Sequence, residues 1–206
     1  MATASLTIDL DAIAANWRDV RAAFTGSNLK WLILSGLLIG ANWAIYIWAV
    51  NAGRTMEASL GYYINPLFSV FLGAVLIKER LNLAQKLAIA LAALAVAFLT
   101  WQVGRVPLVA LSLTVTWGFY AYLKKSLPIG PNQGFFLEVL ILLPFAIGYV
   151  IWLTLHGTGH FFAGSSRDTV LLLACGLVTA VPLMIYANGA KLLRLSTIGI
   201  LQYIAP

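Results

Sequence analysis

The stretch EASLGYYINPLFSVFLGAVLI, from Glu57 to Ile77, decides the fold of this chain. It is long enough to supply the roughly 20 helical residues that cross the hydrocarbon core of a bilayer. Its second half is continuously apolar, whereas its first half holds an acid, two tyrosines and an Asn-Pro pair. Since the apolar residues do not alternate, and a bilayer offers the backbone no hydrogen bonds, we predict a transmembrane helix with one polar half.

The composition of the whole chain places this helix in a membrane protein. Of its 206 residues, 61% are hydrophobic and only 10% are charged, and the mean hydropathy is +0.90. Soluble domains carry charge on about a quarter of their residues, so the composition excludes a soluble protein. The net charge of +6 then reflects lysines and arginines in loops, and we predict no nucleic-acid partner. The single cysteine, Cys175, lies in an apolar run and is interpreted as a packing residue.

Six full apolar runs follow one another, and a seventh begins near Ser196. The six runs are Trp31–Val50, Glu57–Ile77, Leu83–Val103, Val106–Leu123, Phe135–Leu155 and Thr169–Ala190. We predict an all-α polytopic membrane protein with six full transmembrane helices and the start of a seventh. Residues 1–29 are then an N-terminal segment outside the membrane, and residues 30–206 are one transmembrane domain.

Lysine and arginine are distributed unequally between the two sides that these spans define. The chain has 13 lysines and arginines. The N-terminal segment and the loops after the second, fourth and sixth spans hold all of them except Arg54, Arg105 and Arg167. Because cytoplasmic loops are enriched in these residues, we predict that the N-terminal segment lies in the cytoplasm.

The sequence also matches itself when it is shifted by 140 residues. IYIWAVNAGRTMEASLGYYINP (Ile45–Pro66) then aligns without a gap with IYANGAKLLRLSTIGILQYIAP (Ile185–Pro206). The informative identities are Tyr46 with Tyr186, Arg54 with Arg194, Tyr63 with Tyr203, and Pro66 with Pro206. The repeat unit contains five helices, and because five is odd, the second copy enters the membrane from the opposite side. Inverted repeats of this kind are typical of secondary transporters, whose substrate site lies near the membrane midplane between the copies.

A chance match between two aromatic, proline-containing helices is the alternative to this repeat. With the repeat, a complete protein has ten helices, and this chain holds the last three of one copy, the first three of the next and a stub. We therefore expect a fragment of a ten-helix transporter that does not transport by itself.

The polar half of the quoted stretch predicts a cavity. Pro66 leaves one backbone carbonyl without its helical hydrogen bond, and in a membrane that carbonyl needs protein or water beside it. Polar and aromatic side chains well inside the spans are the candidates for contact with a substrate. The predicted substrate-binding residues are Asn42, Tyr46, Tyr63, Asn65 and Tyr203.

Two acids lie within or beside the spans. Glu57 either caps the start of its helix or contacts a substrate or a proton. Glu138 has the most apolar flanks of any acid and is the candidate proton site. Its alternative role is that of an interfacial acid paired with Lys124 or Lys125.

Signatures of enzymes and metal sites are absent from the sequence. His156 and His160 have a spacing that suits zinc on a helix, but they flank GTG in an outer loop without a neighbouring cysteine. We predict no catalytic residue, metal or cofactor, and no convergent set for a membrane-embedded enzyme. Two functions remain: a secondary transporter of small molecules that works by alternating access, or a truncated membrane fragment that does not transport.

Two stretches resemble one known family. NWAIYIWAVNAGRTMEASLGYYINPLFSVFLGAVLIKERL (Asn42–Leu81) and TAVPLMIYANGAKLLRLSTIGILQYIAP (Thr179–Pro206) resemble the RarD family of chloramphenicol-sensitivity proteins. These are EamA-type members of the drug/metabolite transporter superfamily, and the likeness extends from Trp31 to Pro206. It implies ten helices in two repeats of five, a bacterial inner-membrane location, and a small-molecule substrate. It implies no catalytic residues, and it leaves the oligomeric state open, a homo-oligomer included.

The first part of the chain resembles a different protein. ASLTIDLDAIAANWRDV (Ala4–Val20) is similar to the N-terminal opening of alanine racemase, a pyridoxal-phosphate enzyme. Its cofactor lysine would have to follow shortly, yet no lysine precedes Lys30, so we predict no racemase activity. The segment is either a misjoined start or a cytoplasmic amphipathic helix that begins near Asp9 and Asp11.

Overall fold

The computed structural model of the chain describes residues 10–23, 26–104, 106–159, 161–162 and 165–204. Asp9, Arg105, His160 and Pro206, which the sequence analysis used, lie outside these ranges. The described residues form helices and no strand. The helices are α1 (Leu10–Ala23), α2 (Gly26–Asn51), α3 (Thr55–Leu76), α4 (Leu83–Val103), α5 (Leu108–Ser126), α6 (Pro131–Leu155), α7 (Ser166–Leu192) and α8 (Leu195–Leu201), followed by a 3-10 turn (Gln202–Ile204).

Helices α2 to α7 coincide with the six predicted apolar runs, and α8 coincides with the start of the seventh. Four stretches among the described residues are long and apolar enough to cross a membrane. They are Asn28–Asn51, Thr55–Leu76, Pro131–Leu155 and Ser166–Leu192, and Leu83–Phe98 is a shorter apolar helix. The all-helical membrane architecture therefore agrees with the sequence. Helix α2 itself begins at Gly26, before the start of its predicted apolar run at Trp31.

Helix α3 lies at the centre of the bundle and packs against α5 and α8. Small residues permit these close contacts. A side chain at Gly61 would lie 3.1 Å from the carbonyl oxygen of Ala110 on α5, and one at Gly199 of α8 would lie 2.6 Å from that of Pro66. Close approach of helix backbones at small residues is the usual way in which membrane helices associate.

The loops after α3, α5 and α7 meet at one end of the bundle. Glu79, after α3, accepts a hydrogen bond of 2.9 Å from the backbone amide of Leu195. Lys191 of α7 donates to the carbonyl oxygen of Leu127, after α5. Helix α1 reaches the same end, because Gln133 at the start of α6 donates to Asn16 over 2.9 Å. The four segments that the sequence groups on one side by charge therefore lie together.

Candidate functional site

A cavity of about 520 Å³ opens between α2, α3, α5, α7 and the 3-10 turn. Its volume falls in the range of roughly 300 to 1,000 Å³ that small-molecule sites occupy. The aromatic residues of its lining are Trp43, Tyr62, Tyr63, Trp117 and Tyr203. The polar ones are Asn42, Ser59, Asn65, Thr179 and Gln202, and the rest are Leu113, Val178, Pro182 and Leu183.

Four of the five predicted substrate-binding residues line this cavity: Asn42, Tyr63, Asn65 and Tyr203. Tyr46 does not line it. Its ring lies edge-to-face on that of Tyr62, with centroids 5.8 Å apart, and packs against the buried cluster that includes Ala49 and Ala58. Tyr46 lies one turn after Asn42, where α3 packs against α2, and its ring contacts the lining residue Tyr62.

Asn42 uses its amide group to join two helices. Its Nδ2 donates to the carbonyl oxygen of Leu113 over 2.9 Å and to Oγ1 of Thr116 over 2.8 Å, both on α5. Both amide hydrogens are therefore engaged, and only the Oδ1 acceptor is left for a ligand.

The polar half of α3 faces the cavity, as its residue pattern suggests. Tyr203 donates its hydroxyl to the carbonyl oxygen of Tyr63 over 3.0 Å, so the two tyrosines that the repeat pairs are in contact. Asn65 is only 4% exposed, and its Oδ1 has no hydrogen-bond partner among the described residues. Nε1 of Trp117 and Nε2 of Gln202 also lack partners there. Buried polar atoms of this kind are rare in proteins because leaving them unpaired is costly.

Trp117 and Thr179 are among the lining residues that the predicted set of five does not include. Trp117 lies well inside the run Val106–Leu123, which is the criterion that favoured Tyr46 and Tyr63, so the signal was present. The sequence held a weaker signal for Thr179, because a threonine inside a helix can bond to its own backbone. Here its hydroxyl donates to the carbonyl oxygen of Cys175 over 2.7 Å.

Glu138 lies outside the cavity lining, in a buried polar cluster between α2, α5 and α6. It is 2% exposed and forms an ion pair of 2.8 Å with Lys124, which is itself 5% exposed. Ser35 donates to its Oε1 over 2.6 Å, and the hydroxyl of Tyr120 lies 3.5 Å from its Oε2. These contacts match the alternative role of Glu138, that of an acid paired with Lys124. A buried carboxylate needs a counter-charge and hydrogen bonds of this kind.

Glu57 lies in the first turn of α3 and pairs with Arg54, the residue before the helix. Nη2 of Arg54 donates to Oε2 of Glu57 over 2.7 Å, and its Nε donates to Oε1 over 3.1 Å. An acid in this position also opposes the positive end of the helix dipole. These contacts favour the structural role at the helix start over contact with a substrate.

The described residues contain no group of three or more His, Cys, Asp and Glu side chains that could hold a metal ion. His156 has its Nδ1 2.8 Å from the carbonyl oxygen of Trp152.

Comparison with known proteins identifies relatives of this chain. Residues 3–101 match the EamA-like transporter family, and this match includes the segment that resembles alanine racemase, so a misjoined start is not supported. An uncharacterized transporter of Vibrio cholerae is 41% identical over 195 residues, which are 94% of this chain and 65% of the relative. Protein RarD of Salmonella typhi is 38% identical over 200 residues, which cover 97% of this chain and 68% of that protein. The chloramphenicol-sensitive protein RarD of Pseudomonas aeruginosa is 32% identical, over 92% of the chain and 64% of its own length.

The chain thus spans a little less than two thirds of the Vibrio cholerae relative. No solved structure matches it.

Proposed function

The chain belongs to the RarD family of EamA-like transporters, and we propose from this membership that it carries the substrate site of a secondary transporter. The transported solutes are small molecules of the drug/metabolite type, and transport proceeds by alternating access. The observation that carries the proposal is the cavity, which is lined by residues from both predicted copies of the repeat. Helices α2 and α3 come from the first copy, and α5, α7 and the 3-10 turn come from the second.

The position of the cavity suits alternating access between inverted repeats. In such transporters the substrate site lies where the two copies meet, and one copy moves against the other around it. The contact of Tyr203 with the equivalent Tyr63 supports a site on the axis that relates the copies. On this proposal the complete protein has ten helices, of which α2 to α8 are the third to the ninth.

The proposed location is the bacterial inner membrane, with α1 and the N-terminal segment in the cytoplasm. Lysines and arginines of the N-terminal segment and of the loops after α3, α5 and α7 support this orientation, because cytoplasmic loops are enriched in both residues. The contacts of Glu79, Lys191 and Gln133 support it further, since they bring these segments to one end.

Substitutions in the cavity test the proposed function. The chain is joined to the residues of the Vibrio cholerae relative that lie outside the match, and the chimaera is reconstituted in proteoliposomes. Labelled chloramphenicol is the first solute, because one relative is named for sensitivity to it. Tyr63→Phe and Asn65→Leu each remove one hydrogen-bonding group, so we expect initial rates about three- to tenfold lower at unchanged expression.

Tyr149→Phe is the matched control, because Tyr149 is exposed on α6 and does not line the cavity. If both cavity variants transport at the parental rate, the polar half of α3 only packs, and the cavity is not the substrate site.

We also propose Glu138 as the proton site that couples transport. The groups in contact with it are Ser35 on α2 and Tyr120 and Lys124 on α5. Lys191 on α7 faces it across a small gap that both residues line. Protonation of Glu138 would break its pair with Lys124 and loosen α6 from α5. Glu138→Gln should therefore flatten the dependence of the transport rate on pH, and an unchanged profile would remove Glu138 from the coupling.

A further inference from the structure

The cavity combines aromatic rings with amide and hydroxyl groups, and no charged side chain lines it among the described residues. We propose that it takes an uncharged aromatic solute that carries hydrogen-bond donors and acceptors. This inference rests on the proposed function, because it names the class of solute that the same cavity receives.

The acids of α3 and α6 already have basic partners. Glu57 pairs with Arg54 over 2.7 Å, and Glu138 pairs with Lys124 over 2.8 Å. A charged solute that left water for this cavity would meet no opposite charge on the walls that the described residues form, and an unpaired ion in an apolar setting is strongly disfavoured. The lining thus selects against anions and against zwitterions whose charges are both enclosed.

The aromatic residues offer free ring surface to a solute. Trp43, Tyr62 and Tyr63 are 39%, 53% and 59% exposed, respectively. Aromatic solutes can stack on such rings or meet them edge-to-face, which adds to the gain from burial. The same rings attract cations, so a cationic solute is the competing class. The absence of a carboxylate from the described lining favours the uncharged solute.

Three polar atoms beside the cavity have no hydrogen-bond partner among the described residues, and they indicate where a solute would bond. Trp117 Nε1 can only donate a hydrogen bond, so it requires an acceptor. Asn65 and Gln202 are amides, and each can present either a donor or an acceptor. A neutral amide or hydroxyl group on the solute would satisfy these atoms, which are costly to leave unpaired.

Three matched phenyl probes test the class of solute on the purified chain in lipid nanodiscs. N-acetylphenylalanine amide is uncharged, N-acetylphenylalanine is an anion, and phenethyltrimethylammonium is a cation. Binding is measured by isothermal titration calorimetry without a gradient. We expect the uncharged probe to bind about tenfold more tightly than either ion.

Variants connect this binding to the cavity. Trp117→Phe keeps a ring and removes the N–H, so the affinity for the uncharged probe should fall about three- to tenfold. Asn65→Leu should lower it by a similar factor. Trp101→Phe, at an 80% exposed position on α4, is the control and should leave the affinity unchanged. Thermal unfolding and size-exclusion profiles of each variant establish that the fold is retained.

Equal or tighter binding of either ion overturns the inference, and so does failure of all three probes to bind. An unchanged affinity in both Trp117→Phe and Asn65→Leu also overturns it, because the probe then lies elsewhere. The proposed function fails separately. Binding of the uncharged probe without transport by the chimaera supports the proposed solute class and counts against the proposed function. Transport of ions alone supports the proposed function and overturns the solute class.

Discussion

At the residue scale, the fold depends on a buried ion pair between Lys124 and Glu138. Both side chains are at least 95% buried, and their 2.8 Å contact joins α5 to α6. Ser35 adds a hydrogen bond from α2. Such a pair contributes little compared with well-packed apolar residues, but loss of one member strands the other without a counter-charge.

Lys124→Met tests this account, because it should leave the carboxylate of Glu138 without its counter-charge. We expect a loss of about 3 to 5 kcal/mol in the free energy of unfolding. The double variant Lys124→Met with Glu138→Gln removes both charges and keeps an acceptor for Ser35, so most of the stability should return. Thermal unfolding in detergent gives the comparison, and a double variant as unstable as the single one would contradict the pairing argument.

At the element scale, Glu79 connects the end of α3 to the start of α8. Its carboxylate accepts hydrogen bonds from the backbone amides of Leu195 over 2.9 Å and Ser196 over 3.2 Å. These amides belong to the first turn of α8, where no helical acceptor is available. Partial burial acts to raise the pKa of Glu79, but hydrogen bonds from Ser196 and Leu195 and the charge of Lys125 outweigh it and place the pKa below its ordinary value of 4.5.

Glu79→Gln should lower the thermal unfolding midpoint near neutral pH, because an amide oxygen accepts these hydrogen bonds less strongly than a carboxylate does. A group with a lowered pKa stabilises the fold above its unfolded pKa, and this contribution is lost as the pH falls through the folded pKa. The difference between the variant and the parent should therefore be present above about pH 4.5 and fade below it. Arg80→Gln, exposed in the same loop, is the control, and a difference that persists at low pH would refute the carboxylate's role.

At the scale of the whole molecule, the outer faces of α6 and α7 are apolar. Phe145, Leu177 and Ile185 are 67%, 68% and 69% exposed, respectively. Side chains of this kind are stable in contact with lipid tails, which are as apolar as they are. The bundle thus exposes apolar residues on its sides, where they can contact lipid, and gathers its basic loops at one end.

Cysteine labelling in intact cells tests the orientation. Ser126→Cys lies at the end of α5 on the proposed cytoplasmic side, and Ser166→Cys lies at the start of α7 on the other; both serines are exposed. In a Cys175→Ser background, we expect an impermeant thiol reagent to label position 166 and to spare position 126 until the cells are opened. Labelling of position 126 in intact cells would reverse the orientation.

The sequence by itself determined the helical class, the membrane setting and the positions of α2 to α7. Each of these depends on a local property, since about 20 continuous apolar residues must form a helix in lipid whatever surrounds them. It also indicated the polar half of α3, because the cost of Pro66 and Asn65 in a membrane is local as well.

Only the tertiary structure decided which side chains meet. Tyr46 and Asn42 share a helical face, yet α3 covers the first and leaves the second at the cavity. Trp117 and Thr179 enter the lining because of how α5 and α7 are rotated against α3, and Glu138 finds Lys124 only where α6 packs beside α5. Helix rotation and packing depend on side chains far apart in the chain, so no single span carries the information that places these residues together.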